Sequence, residues 1–105
     1  MEAFIVRLTE NQKNAVRQIA LEVTGDPCVE VRVFGSRLDD QAKGGDLDLL
    51  LAFPGPLEHP SLLAAKIAAR ASRALQGRKV DVLLSAPNLQ RYPIHEIAFS
   101  EGVLI

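Results

Sequence analysis

The chain has 105 residues, enough for one hydrophobic core and too few for two. Twelve basic residues against thirteen acidic ones leave a net charge of −1, so the chain does not grip duplex DNA through its overall charge. No apolar run approaches the roughly eighteen residues of a membrane span, and a single cysteine, Cys28, excludes both an internal disulfide and a multi-cysteine metal site.

Residues 1–12 lack the basic and then apolar pattern of a signal peptide, so the expected compartment is the cytoplasm. Phe4, Val6 and Leu8 alternate as in an edge strand. Thr9 to Thr24 reads as a helix. Thr9 and Gln12 have the spacing of a capping box, Ala15, Ile19 with Ala20, and Val23 recur at helical intervals, and Gly25-Asp26-Pro27 stops the run. Val29 to Phe34 alternates as a strand, with Val29, Val31 and Val33 on one face and Glu30, Arg32 and Phe34 on the other. A polar, glycine-flanked segment follows from Gly35 to Gly45. Asp46 to Phe53 is a second strand, broken by Pro54-Gly55-Pro56. Ser61 to Leu75 is the strongest helix, with an apolar stripe of Leu63, Ile67, Ala71, Ala74 and Leu75, closed by Gly77. Lys79 to Leu84 is a third strand. Ile94 to Glu101 is a short last helix with Ile94, Ile97, Ala98 and Glu101 stacked, ended by Gly102. Helices interleaved with strands predict one α/β or α+β domain over residues 1–105, a small mixed sheet with helices packed on it. So small a core leaves room for a partner subunit, identical or different, to cover apolar surface.

The chemistry concentrates in residues 31–53. On a strand, Asp46 and Asp48 project from the same face while Leu47, Leu49 and Leu51 take the other. The apolar run after Asp48 marks an interior strand, where two neighbouring carboxylates repel unless a cation sits between them or one binds a proton. Asp81 interrupts the otherwise apolar third strand. If that strand lies beside the second, a third carboxylate joins the pair, and an all-oxygen anionic site of this kind suits Mg²⁺. Two such ions serve in-line phosphoryl or nucleotidyl transfer. Gly35-Ser36-Arg37 follows the first strand directly. A glycine lets the backbone approach a phosphate, the Ser36 hydroxyl can donate to it, and the Arg37 fork can pair with it.

A strand ending in FGSR at 34–37, then GGDLDLL at 44–50, then VDVLL at 80–84 resembles the DNA polymerase β-type nucleotidyltransferase superfamily. The length, and the closing segment IHEIAFSEGVLI, resemble its minimal nucleotidyltransferases, which are the catalytic palm alone. The likeness spans roughly residues 9 to 105. It implies that Gly35 and Ser36 hold the triphosphate of ATP, with Arg37 as an auxiliary contact. Asp46 and Asp48 would bind two Mg²⁺ ions, and Asp81 would bind the catalytic ion and help deprotonate the acceptor hydroxyl. Nothing corresponds to the fingers, thumb or template-binding domains of polymerases, so the acceptor site is small or supplied by another chain. The resemblance further implies a type VII antitoxin that moves AMP from ATP onto a tyrosine of a helical HEPN-type toxin. The rival reading is a non-catalytic antitoxin or regulatory subunit that binds and masks its partner. An Asp-x-Asp phosphatase is disfavoured, because there the strand runs into the aspartates, whereas here they open it.

Other polar residues read more plainly. Asp39 and Asp40 are solvent-facing loop residues, and His59 is a surface residue beside Pro60. His95 is a structural or partner-facing histidine rather than a base. Tyr92 is a packing residue, and Lys66, Arg70 and Arg73 are a solvated helix face. Cys28 is expected to be buried or half-buried.

Overall fold

A computed structural model describes residues 8–34 and 47–105. The alternating segments of the sequence become four strands, β1 (Glu30–Phe34), β2 (Leu47–Ala52), β3 (Val80–Ser85) and β4 (Val103–Leu104). The helical ones become α1 (Glu10–Thr24), α2 (Pro60–Ala74) and α3 (Pro93–Glu101). The strands form one mixed sheet in the order β3-β2-β1-β4. β1 is antiparallel to both β2 and β4, and β2 and β3 run parallel, joined through α2. The described residues thus form an α+β domain, as the interleaved pattern predicts.

Local chemistry explains the helix ends. At the start of α1, the Gln12 N–H donates to Thr9 Oγ1 at 3.1 Å, and the Thr9 N–H donates back to Gln12 Oε1 at 2.9 Å. This reciprocal box satisfies backbone donors that the first helical turn leaves unpaired. At the other end, Gly25 takes φ 69° and its N–H donates to the Leu21 carbonyl at 2.7 Å. That left-handed cap costs a glycine little. α2 begins with Pro60, whose missing N–H would have been unpaired in any case.

The two faces of the sheet have different partners. Val31 and Val33, Leu47, Leu49 and Leu51, and Val80 and Leu84 point to one face. There they pack with Val16, Ile19 and Ala20 of α1 and with Ile67, Ala71 and Leu75 of α2 and its end. The other face of the strands carries Phe34, Leu50 and Leu83, which pack with Ala98 and Phe99 of α3. Leu49, Leu50 and Leu51 are fully buried, so β2 is apolar on both faces, as its sequence requires for an interior strand. Across the α1–α2 contact, the Arg70 guanidinium pairs with Glu22 at 2.5 Å on the surface. The loops after β2 and β3 are tied by the Asn88 amide, which accepts from the Leu57 N–H at 3.0 Å and donates to its carbonyl at 2.8 Å.

Several expectations need correction. Val16, rather than Ala15, is the buried residue in the first half of α1, and Ala74 is exposed, leaving Ile67, Ala71 and Leu75 as the buried stripe. Cys28 is exposed, because it sits in the turn beyond α1, where the Asp26 carboxylate accepts its backbone N–H at 2.8 Å. In α3 the residues turned inward are His95 and Ala98, while Ile94 and Ile97 stay 43% and 46% exposed. Strand β4 was not foreseen. Two residues are too few to show an alternation, and only pairing with β1 defines it. The edge strand expected up to Leu8 lies outside the described residues except for Leu8 itself, which is buried in the core.

Candidate active site

Asp48 is the second residue of β2 and Asp81 the second of β3. The parallel register makes them direct partners, between Leu47–Val80 and Leu49–Val82. Register partners on adjacent strands project to the same side, and strands lie about 4.8 Å apart. The two carboxylates therefore stand side by side on the face that α3 only partly covers. Asp48 is half-buried and Asp81 exposed. On the opposite side of Asp48 its antiparallel partner is Phe34, the last residue of β1. Phe34, Asp48 and Asp81 thus form a row across three strands.

A cleft of about 410 Å³ opens over this row. Its floor is Phe34, Asp48, Asp81, Val82 and Leu83, and its wall is Ile94, Ile97 and Glu101 of α3. The lining is mostly apolar, with polar groups concentrated in carboxylates. Such a concave apolar pocket with a few convergent polar groups is the general form of a small-molecule site.

The other sequence-predicted residues, Gly35, Ser36, Arg37 and Asp46, lie outside the described residues, as do Asp39 and Asp40. Among the described residues there is no cluster of three or more potential metal ligands. Asp48 and Asp81 nevertheless have the chemistry that Mg²⁺ takes: hard anionic oxygens on adjacent strands, lining a cleft with room for a further ligand.

The wall of the cleft was missed in the sequence. The spacing of Ile94, Ile97 and Glu101 marks one side of a helix without saying what that side faces. It faces the cleft. His95 is buried, with 3% of its surface exposed, and both ring nitrogens are hydrogen-bonded. That agrees with its reading as a structural histidine. Tyr92 is 52% exposed and stacks on His95 with ring centroids 6.0 Å apart. Lys66 and Arg73 are exposed on α2, and Arg70 is the member of that face that finds a carboxylate.

Electrostatics elsewhere on the surface are modest. The Glu22 carboxyl is held below its usual range, first by the hydrogen bond from Gln18 and then by Arg70. Phe99 has the Arg91 guanidinium 4.4 Å and the Arg32 guanidinium 5.0 Å from its ring centroid, and each arginine also pairs with a glutamate, Glu96 and Glu30 respectively. No helix among the described residues is long and apolar enough to cross a membrane. No protein-family model matches the chain, and no curated protein matches it either.

Proposed function

We propose that this chain is a Mg²⁺-dependent nucleotidyltransferase that moves AMP from ATP to a hydroxyl acceptor, a tyrosine of a helical HEPN-type partner protein. The observation that carries the reading is the register of Asp48 with Asp81 on one face, under one cleft. Had the two carboxylates faced opposite sides of the sheet, the triad expected from the sequence could not assemble. The resemblance of residues 34–37, 44–50 and 80–84 to minimal nucleotidyltransferases supports the same assignment, as does the mixed sheet with helices on both faces.

In this reading, Asp48 and Asp81, together with Asp46, would hold Mg²⁺, which would neutralise charge on the phosphates and lower the cost of bringing them to a carboxylate-rich site. Gly35 and Ser36 receive the triphosphate, with Arg37 beside it. Asp81, at the outer strand of the row, takes the proton from the acceptor hydroxyl. The acceptor oxygen bonds to the α-phosphorus as the bond to the leaving pyrophosphate breaks. The apolar wall of Ile94 and Ile97 keeps water from competing with the acceptor. A cytoplasmic antitoxin role in a type VII system belongs to the same proposal.

The test is to incubate the protein with ATP, Mg²⁺ and a candidate helical HEPN-type partner, then weigh that partner. A gain of one AMP per partner, absent with Asp48→Asn, supports the reading. Tight binding of the partner with no mass gain for any nucleotide replaces it with the second reading, a non-catalytic subunit that masks its partner. The exposed side chains of Tyr92, Ile94 and Ile97 favour that alternative.

A further inference from the structure

His95 is the only buried polar side chain among the described residues, and no step proposed above uses it. Its two ring bonds define its state. The Tyr92 backbone N–H, which can only donate, lies 3.0 Å from Nδ1. The Leu84 carbonyl, which can only accept, lies 2.9 Å from Nε2. The ring is therefore the neutral tautomer with its proton on Nε2, and neither nitrogen is left over for a substrate.

The Leu84 carbonyl matters because β3 is at the end of the sheet among the described strands. The Leu47 N–H donates to the Lys79 carbonyl and the Phe53 N–H to the Ser85 carbonyl, so the odd-numbered carbonyls of this segment point to β2. By strand alternation, the carbonyl of Leu84 points away from β2. His95 thus ties the first turn of α3 to β3, three residues beyond Asp81. The far end of α3 is fixed on β1. A Cβ on Gly102 would stand 2.3 Å from the Ala98 carbonyl oxygen, 3.3 Å from the Arg32 Cβ and 3.4 Å from the Phe34 Cβ. Between these two anchors, α3 crosses the face of the sheet and presents Ile94 and Ile97 to the cleft.

We infer that His95 is a positioning residue for the cleft: its two ring bonds hold α3, and with it the Ile94–Ile97 wall, at a set distance from Asp48 and Asp81. The inference rests on the proposed function only in taking this cleft as the substrate site. The long-range tie to Leu84 carries the effect, since the Tyr92 bond lies within the first turn of the helix. His95→Gln can keep an amide donor near Leu84, whereas His95→Asn can keep only an acceptor near Tyr92.

Two measurements decide it. The first is amide hydrogen exchange of residues 96–101 relative to α1 and α2. The second is the dissociation constant for MgATP by calorimetry. In His95→Ala, exchange in α3 should rise about tenfold relative to α1 and α2, and the MgATP dissociation constant should rise about fivefold or more. His95→Gln should restore both and His95→Asn neither. Ile67→Val, a destabilising change on the opposite face of the sheet, should move neither ratio. Exchange in α3 that simply follows α1 and α2 in every variant overturns the latch. A loosened α3 with unchanged MgATP affinity overturns its role in the cleft. If the wild-type protein binds no MgATP, the functional reading fails, and the exchange experiment still decides whether His95 holds α3.

Discussion

Asp81→Asn is the most informative single substitution, because it separates charge repulsion from metal binding. Asp81 and Asp48 are register partners, so their strands are about 4.8 Å apart. At that separation two unit charges repel by about 3.5 kcal/mol at an effective dielectric of 20 and about 0.9 kcal/mol in water. Asp81 is exposed and Asp48 half-buried, which places the pair near the water limit, at roughly 1 kcal/mol. Without divalent ions the asparagine variant should therefore be the more stable protein, with a Tm higher by about 4 °C for a domain of this size. Mg²⁺ should reverse the order. At a free concentration ten times the dissociation constant, binding to the native state adds about 1.4 kcal/mol to the wild type. The variant should gain little. The assay is thermal unfolding followed by circular dichroism, in EDTA and in a Mg²⁺ series at constant ionic strength, since screening alone weakens the repulsion. An asparagine variant that melts lower in EDTA, or that responds to Mg²⁺ as the wild type does, refutes the shared-cation argument.

Five further substitutions test the structure and, at Ser36, the sequence resemblance. Asp48→Ala should reduce AMP transfer by at least about a hundredfold while the circular dichroism spectrum stays native, and Ser36→Ala should weaken ATP use more mildly; wild-type rates in either variant remove that residue from the site. Gly102→Ala should cost about 1–3 kcal/mol in urea unfolding, because its Cβ would meet the Ala98 carbonyl oxygen at 2.3 Å and backbone must move. Ile67→Ala removes a fully buried side chain between α2 and the sheet and should cost about 2–5 kcal/mol by the same method, with a loss under 1 kcal/mol arguing against the packing described. Glu22 has a depressed folded pKa, so its contribution is present above the ordinary carboxylate range and disappears as the pH falls through the folded value. Arg70→Ala should lower Tm slightly at neutral pH and leave it unchanged in strong acid; an equal effect at both extremes excludes the ion pair as the cause.

The helices and strands were legible because their determinants are local. Thr9 and Gln12 make the box their spacing promised, Gly25 supplies the left-handed cap, and the alternation at residues 29–34 sorts Val31 and Val33 from Arg32 and Phe34 as expected. Backbone sterics and hydrogen bonding within a few residues decide such features. The two aspartates that carry the candidate site were likewise visible, because a carboxylate in an apolar strand conflicts with burial and stands out. Whether they would meet was not visible. Asp48 and Asp81 are brought together by parallel pairing across an intervening helix, and a one-residue slip in register would have sent one of them to the opposite face.

Tertiary structure decided three further matters. The spacing of Ile94, Ile97 and Glu101 defines one side of α3 but not what that side faces, and packing turned it to the cleft. Strand β4 exists because β1 offers it a free edge. His95 is buried with its ring bonded to the Leu84 carbonyl of β3, a partner eleven residues away that its own helix does not reveal. Periodicity along a chain records which residues share a side, since that depends on the backbone geometry of neighbours. Which surface that side meets depends on contacts between segments far apart in sequence, and those exist only once the sheet has assembled.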